Sequence, residues 1–327
     1  MKKSFILLAI ILCTIFSAKA QNKVNSLFFD GRVGFMNTIT DEYSGHFTGD
    51  YLNFQMLGNI TDNLSYRIRQ RLNKNPFDEN NILNGTDFLF ISWQIDNNWF
   101  IDFGKQEILI GGFEYDYAPI DVYYYSQFCN SINQCYGIGL TGGYKFNDNN
   151  KVMLQVANSP FSNGNIDDKL SYNLIWFGQI LDWWKTIWSI NYADATNSID
   201  MEYIALGNRF ELSDFYLEFD WNAGKTTKDD FTFSYCGKLN YNYRDKLNIF
   251  AKGGYDESTS MIHGLPSMHS YAENFQYIGG GIEFFPLNNK DLRLHAVCYY
   301  EDSDEKGYKD HVNIALGASW KVDVIKK

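Results

Sequence analysis

The 327-residue chain carries 28 Lys and Arg against 39 Asp and Glu, a formal charge of −11, and 17% of its residues are Phe, Tyr or Trp. So acidic a balance argues against a nucleic-acid partner. A mean hydropathy of −0.33, with no apolar run of roughly 18 residues after the first twenty, excludes a bundle of membrane-spanning helices.

Residues 1–20 read as a secretory signal peptide: Lys2 and Lys3, an apolar stretch from Phe5 to Phe16, and Ala18-Lys19-Ala20 as a small-x-small cleavage site. Removing this leader takes three lysines away and the charge to −14. An exported chain without a spanning helix enters a membrane only as a closed barrel. Residues 21–327 are therefore expected to be all-β, a transmembrane antiparallel β-barrel with its outer face against outer-membrane lipid and lipopolysaccharide.

From Leu27 onward one unit repeats: a strand of about ten residues, a polar loop, a second strand and a tight turn rich in Asn, Asp or Gly. The turns fall at Thr61-Asp62-Asn63, Asp96-Asn97-Asn98, Asn147 to Asn150, Gly178 to Trp183, Glu211 to Asp214, Asn242 to Asp245 and Pro286 to Asp291. Seven such turns alternating with eight longer connections give about 16 strands with both termini on the periplasmic side. All five prolines fall between strands, as a hydrogen-bonded ladder requires.

Alternation assigns faces. Leu52, Phe54 and Met56 face lipid, with Tyr51, Asn53 and Gln55 inside. Phe215, Leu217, Phe219 and Trp221 face out, with Tyr216, Glu218 and Asp220 inside; Val312, Ile314, Leu316, Ala318 and Trp320 face out in the last strand. A soluble β-sandwich also alternates, but strands this numerous with short turns on one side fit a barrel better.

In the third predicted strand, Leu64, Tyr66, Ile68 and Leu72 mark the lipid face, with Gln70 an exception. Arg67, Arg69 and Arg71 then point into the lumen, about 6.6 Å apart by strand rise. Three such charges need compensation, since arginine does not discharge by losing a proton. A passing anion supplies it in a conduction role, and fixed acids from Glu114, Asp116 and Asp121 supply it in a salt-bridge lattice. Arg32, Arg293 and Lys321, on the first and the last two strands, are further inward cations on that side. Glu218 and Asp220 lie opposite, so a field across the lumen is expected, blurred by Lys238 and Lys252.

Between Glu107 and Gln134 strand order lapses for roughly thirty residues, too long for an idle connection. The stretch is dense in Gly, Tyr and Asp, including Tyr115, Tyr117 and Tyr123 to Tyr125. It is expected to fold into the lumen as a constriction loop. Cys129 and Cys135, close together at its end in an oxidising compartment, are expected to form a disulfide. Cys236 and Cys298, on predicted strands 12 and 15, lie roughly three strand spacings apart and are expected to be free, beyond disulfide reach.

The runs Tyr66 to Lys74, Asp102-Phe103-Gly104-Lys105-Gln106 and Gly111 to Asp121, with Asn158-Ser159-Pro160-Phe161 and Tyr203 to Asn208, resemble the porins of the phosphate-selective O and P family over the mature chain. That resemblance implies a 16-stranded, often trimeric outer-membrane channel with an arginine ladder leading to a lysine-containing constriction. By position, Arg67, Arg69 and Arg71 match the ladder and Lys105 the constriction cation. The chain departs from it in an acidic, tyrosine-rich loop without lysine and in lacking a terminal aromatic, so phosphate stays open among the small polar, chiefly anionic permeants expected.

Two other classes compete. A barrel enzyme needs a nucleophile with a base, yet there is no Gly-x-Ser-x-Gly, and of five histidines only His295 is predicted inward on a strand. His263 and His269 flank a loop without a third ligand for a metal, so neither metal nor cofactor is expected. A closed structural or adhesive barrel displaying loops such as Tyr255 to Glu273 is the remaining rival, and conductance separates it from a channel.

Overall fold

The structure is a computed structural model that describes residues 23–40, 43–74, 83–132, 135–161, 169–195, 200–227, 231–257, 274–304 and 310–327. The expected leader and the pair His263 and His269 lie outside these residues. Sixteen antiparallel strands close into one barrel. They are β1 (Lys23–Ile39), β2 (Tyr43–Asn59), β3 (Leu64–Arg71), β4 (Thr86–Gln94), β5 (Trp99–Glu107), β6 (Tyr136–Asn147), β7 (Asn150–Asn158) and β8 (Leu170–Leu181). The second half continues with β9 (Trp184–Asp194), β10 (Asp200–Leu212), β11 (Phe215–Thr226), β12 (Thr232–Tyr243), β13 (Leu247–Asp256), β14 (Phe275–Phe284), β15 (Leu292–Ser303) and β16 (His311–Lys326). Each strand pairs with its neighbours in sequence, and β1 closes on β16 over a ladder from Ser26–Lys326 to Ile39–Val312.

Closure removes both sheet edges, which is what lets a sheet sit in lipid without orphaned backbone groups. The seven tight turns stand where the sequence put them, the one after β8 being shorter than expected because β8 runs to Leu181 and β9 starts at Trp184. Apolar side chains face outward in alternation: Leu52, Leu217, Phe219 and Leu316 are all exposed, whereas Asn53, Glu218, Asp220 and Asn313 on the opposite face are buried. Exposed Trp99, Phe146, Trp183, Phe215, Tyr243 and Phe284 gather beside the tight turns, the aromatic girdle of one membrane interface.

The lumen is filled by the connection between β5 and β6, which is not structureless. It forms α1 (Phe113–Asp116), a 3-10 turn at Pro119–Asp121 and α2 (Gln127–Ser131). Its Ile108, Ile110, Tyr115, Phe128 and Ile132 bury themselves against the wall residues Ala193, Met201, Tyr203 and Ala205. A barrel of this width leaves space for an aqueous channel, so the course of this segment sets how much of it stays open.

Candidate functional site

The inner segment is seated along half the barrel. Its entry rests on a row of inward amides and hydroxyls at matching register on β6 to β9. Asn173 Nδ2 donates to Gln155 at 3.0 Å and Asn191 Nδ2 to Asn173 at 2.8 Å. The same groups bond the loop backbone: Leu109 N–H reaches Gln155 Oε1 at 3.0 Å, Asn191 reaches the Leu109 carbonyl at 2.7 Å, and Gly111 N–H reaches Ser189 Oγ at 2.8 Å. Next, backbone meets backbone. A Cβ at Gly111 would stand 2.7 Å from the carbonyl oxygens of Ala205 and Ile187, and one at Gly207 would stand 2.7 Å from Gly112 Cα. Gly112 also has φ +102°, a conformation in which a side chain is strained.

Wall carboxylates then hold the two short helices. Asp220 accepts the N–H groups of Phe113 at 2.9 Å and Glu114 at 2.7 Å, and Asp256 accepts that of Gln127 at 2.9 Å. Glu114 pairs with Lys252 on β13 and accepts from the Ser126 N–H at 2.9 Å. Burial would raise the Glu114 pKa, but the Lys252 charge and the hydrogen bonds outweigh it and hold the group below its ordinary value. Tyr117 donates to Glu218 at 2.7 Å, and Arg209 on β10 stacks over Phe113 while bonding the same carboxylate. Tyr123 donates to Glu283 at 2.7 Å, and Tyr124 stacks on Tyr299.

The tip reaches the far wall. Arg32 Nη1 donates to the carbonyls of Ile120 at 3.0 Å and Val122 at 2.8 Å, and Arg293 bonds Asp121 at 2.8 Å and the Ile120 carbonyl at 2.9 Å. A space of about 320 Å³ remains open between the tip at Ala118 to Asp121 and the wall formed by β15, β16 and β1 to β4 with the turn before β15. Arg69, Arg71 and Lys321 line it together with Asp30, Asn53 and Gln55.

The three arginines do face inward. Arg67 and Arg69 lie over the Phe88 ring, with centroid distances of 4.0 and 4.5 Å, and Arg69 also bonds the Tyr136 hydroxyl. Their compensation is not what the sequence suggested. Asp87 on β4, buried and unremarked in the sequence, accepts from Arg69 Nε at 2.9 Å and from Arg71 Nε at 2.8 Å. Glu114 and Asp121 bond Lys252 and Arg293 instead. The Asp116 carboxyl keeps exposed surface, yet the surrounding protein desolvates it enough to raise its pKa against the pull of Lys151 and Arg209. Gln70, the odd residue on the lipid face, is explained by a 2.7 Å bond from Thr86 across the ladder.

Three further expectations are corrected. Lys105 does not stand at the narrows: it pairs opposite Leu89, and its ammonium ends on the Leu83 carbonyl at 2.8 Å in the β3–β4 connection. Cys129 and Cys135 are both free thiols. α2 turns Cys129 toward Glu114, whereas Cys135 Sγ meets the Ile132 carbonyl at 3.4 Å. The separation of cations from acids is also weaker than the sequence implied, because Arg209 and Lys252 sit beside Glu218 and Glu114 on the acidic side. Cys236 and Cys298 are free, as expected. His295 is buried against Tyr123 of the loop, 4.7 Å between ring centroids.

The seat itself was missed, although Thr141, Gln155, Asn173, Ser189 and Asn191 all occupy inward positions of an alternating pattern. Small residues Gly111 and Gly112 in the loop and Ala205 and Gly207 in a strand were the other available signal. The family model for phosphate-selective porin O and P matches residues 34–182, the stretch that carries the ladder and the inner loop. No curated protein matches the sequence. Among solved structures, the barrel resembles an anion-selective porin from Comamonas acidovorans, with 9% identity, TM-score 0.65, and 92% of this chain and 100% of that one covered. It also resembles Salmonella typhi OmpF in complex with daunomycin, with 15% identity, TM-score 0.64, and 92% and 98% covered. The in-vitro folded trimer form of Vibrio cholerae OmpT gives 12% identity, TM-score 0.62, and 92% and 99% covered.

Proposed function

We propose that this chain, a porin-type β-barrel of the bacterial outer membrane whose residues 34–182 match the phosphate-selective O and P family, passes small polar solutes with a modest preference for anions. The observation that carries this reading is the inner loop, fastened across the lumen so that the remaining space runs past Arg69, Arg71, Arg293 and Lys321. Five cations and four carboxylates line that space, a surplus of one positive charge. In a confined lumen such a surplus is screened less than on a free surface. Most of these charges are already paired, which supports a mild selectivity over a strict one.

The test is a planar bilayer with a potassium chloride gradient. Stepwise conductance with a reversal potential displaced toward that of chloride is expected from folded protein. An absence of steps would return the chain to a closed barrel that displays loops. Homotrimeric assembly follows the same reading, in line with the trimer form of Vibrio cholerae OmpT. Cross-linking in detergent should give a ladder ending at three copies.

A further inference from the structure

We infer that the solute preferred in the open space is a single sugar ring bearing one acidic group, a carboxylate or a phosphate ester, and not an inorganic oxyanion. This rests on the channel reading above and names the substrate class of that same space. The first observation is volume. About 320 Å³ equals the liquid share of about ten water molecules, room for a ring with its hydroxyls where a bare oxyanion would rattle.

The second is the supply of hydrogen-bonding groups. A site for a dense oxyanion gathers donors that are free of other acceptors. Here Arg69 is committed to Asp87 and Tyr136, and Arg293 to Asp121, the Ile120 carbonyl and Ser319. Arg71 bonds Asp87 through Nε at 2.8 Å, which leaves its terminal N–H groups to meet one acidic group. Asp30, Asp87, Asp121 and Asp291 border the same space. They accept hydrogen bonds, of which a polyol offers several and a hydrogenphosphate ion only one or two.

The third is an unpartnered acceptor. Asn53 is 5% exposed and donates through Nδ2 to Asp30 at 3.1 Å, while its Oδ1 is buried with no donor among the described residues. A buried acceptor left without a donor is destabilising, and a hydroxyl of a ring seated beside Arg71 supplies one. Gln55 binds the other oxygen of Asp30 at 3.1 Å, so Asn53, Asp30 and Gln55 form one fixed polar edge opposite the loop tip. The rings of Phe28 and Tyr51 border the space as well; Lys321 and Arg32 each cover part of one, and the remaining aromatic carbon meets the C–H groups of a sugar. Acid at one end, hydroxyls along an amide and carboxylate edge, and C–H groups on aromatic carbon together describe a sugar acid.

The experiment compares permeability ratios to chloride, from reversal potentials, for potassium salts of glucuronate, glucose 6-phosphate, cyclohexanecarboxylate and phosphate. Glucuronate or glucose 6-phosphate is expected to exceed cyclohexanecarboxylate and inorganic phosphate severalfold, and the better of the two identifies the acidic group. Asn53→Leu, checked for folding by its heat shift on a gel, is expected to bring the glucuronate to cyclohexanecarboxylate ratio down toward one. Equal permeabilities of these two in the wild type would overturn the inference, as would phosphate in first place. Either result leaves the channel intact, whereas absence of current in potassium chloride removes the channel reading itself.

Discussion

The two halves of the barrel wall handle the same problem, buried polar groups in a closed tube, in different ways. From β6 to β14 the inward side chains bond the loop: the Gln155 to Asn191 amide row, Asp220 and Asp256 on helix N–H groups, Lys252 on Glu114. From β16 to β4 they bond chiefly one another, as in Asp30 with Asn53 and Gln55 or Asp87 with Arg69 and Arg71, and they face open space. One wall holds the loop and the other borders open space, and the same residue types serve both. An inward arginine is thus not by itself a permeation residue. Arg32 and Arg293 hold the loop tip, while Arg71 keeps donors for the lumen.

The largest effect that separates the walls should come from Lys252→Met. It leaves Glu114 buried without its counter-charge, a loss of about 3–5 kcal/mol by the usual cost of breaking a buried pair. The heat-shift temperature on a gel should fall, and single-channel current should become noisy as the loop lifts. Quiet current at wild-type conductance would mean that the latch lies elsewhere in the seat.

Second comes the bare wall. Replacing Arg67, Arg69 and Arg71 together by glutamine removes three positive charges and leaves Asp87 unpaired. The reversal potential in a potassium chloride gradient should move toward cations, with conductance retained. A folded triple variant with unaltered selectivity would place the arginines in the scaffold class with Arg32.

A smaller and opposite shift should follow Asp87→Asn, which frees Arg69 and Arg71 from their shared acceptor and removes one negative charge. Anion preference should rise, and a shift in the same direction as the triple variant would contradict the assignment of Asp87 as the ladder's counter-charge.

The smallest effect concerns pH. Glu114 is held below its ordinary pKa, so the stability it lends is present in full above the ordinary carboxylate range and is lost as pH falls through the depressed value. Loop noise should therefore stay at its neutral level through the ordinary carboxylate range and rise only in stronger acid. Noise that grows already in mild acid would point instead to the other carboxylates at the loop, Asp116 or the wall groups Asp220 and Asp256 that accept its N–H groups.

Much of this architecture is written locally. Alternation along Leu52 to Met56 or Phe215 to Trp221 sets which face meets lipid, because side chains on a strand repeat every two residues whatever the strand pairs with. Turn residues such as Asp96-Asn97-Asn98 count the strands, and three arginines at every second position share a face for the same reason. The length and tyrosine content of residues 107–134 announce an inner segment. None of these inferences requires knowing a partner.

What the tertiary structure alone decided is which partner each charge has. Glu114 finds Lys252 across 138 residues of sequence and Phe113 finds Asp220 across 107, meetings fixed by barrel closure and strand register. Asp87 escaped notice because it stands at a register shift between β3 and β4, where simple alternation no longer assigns a face. Lys105 was misplaced, and Cys129 and Cys135 were wrongly paired, because nearness in sequence does not fix where a side chain ends. Alternation is a property of one strand, whereas ion pairing depends on distances among strands that only the closed barrel sets.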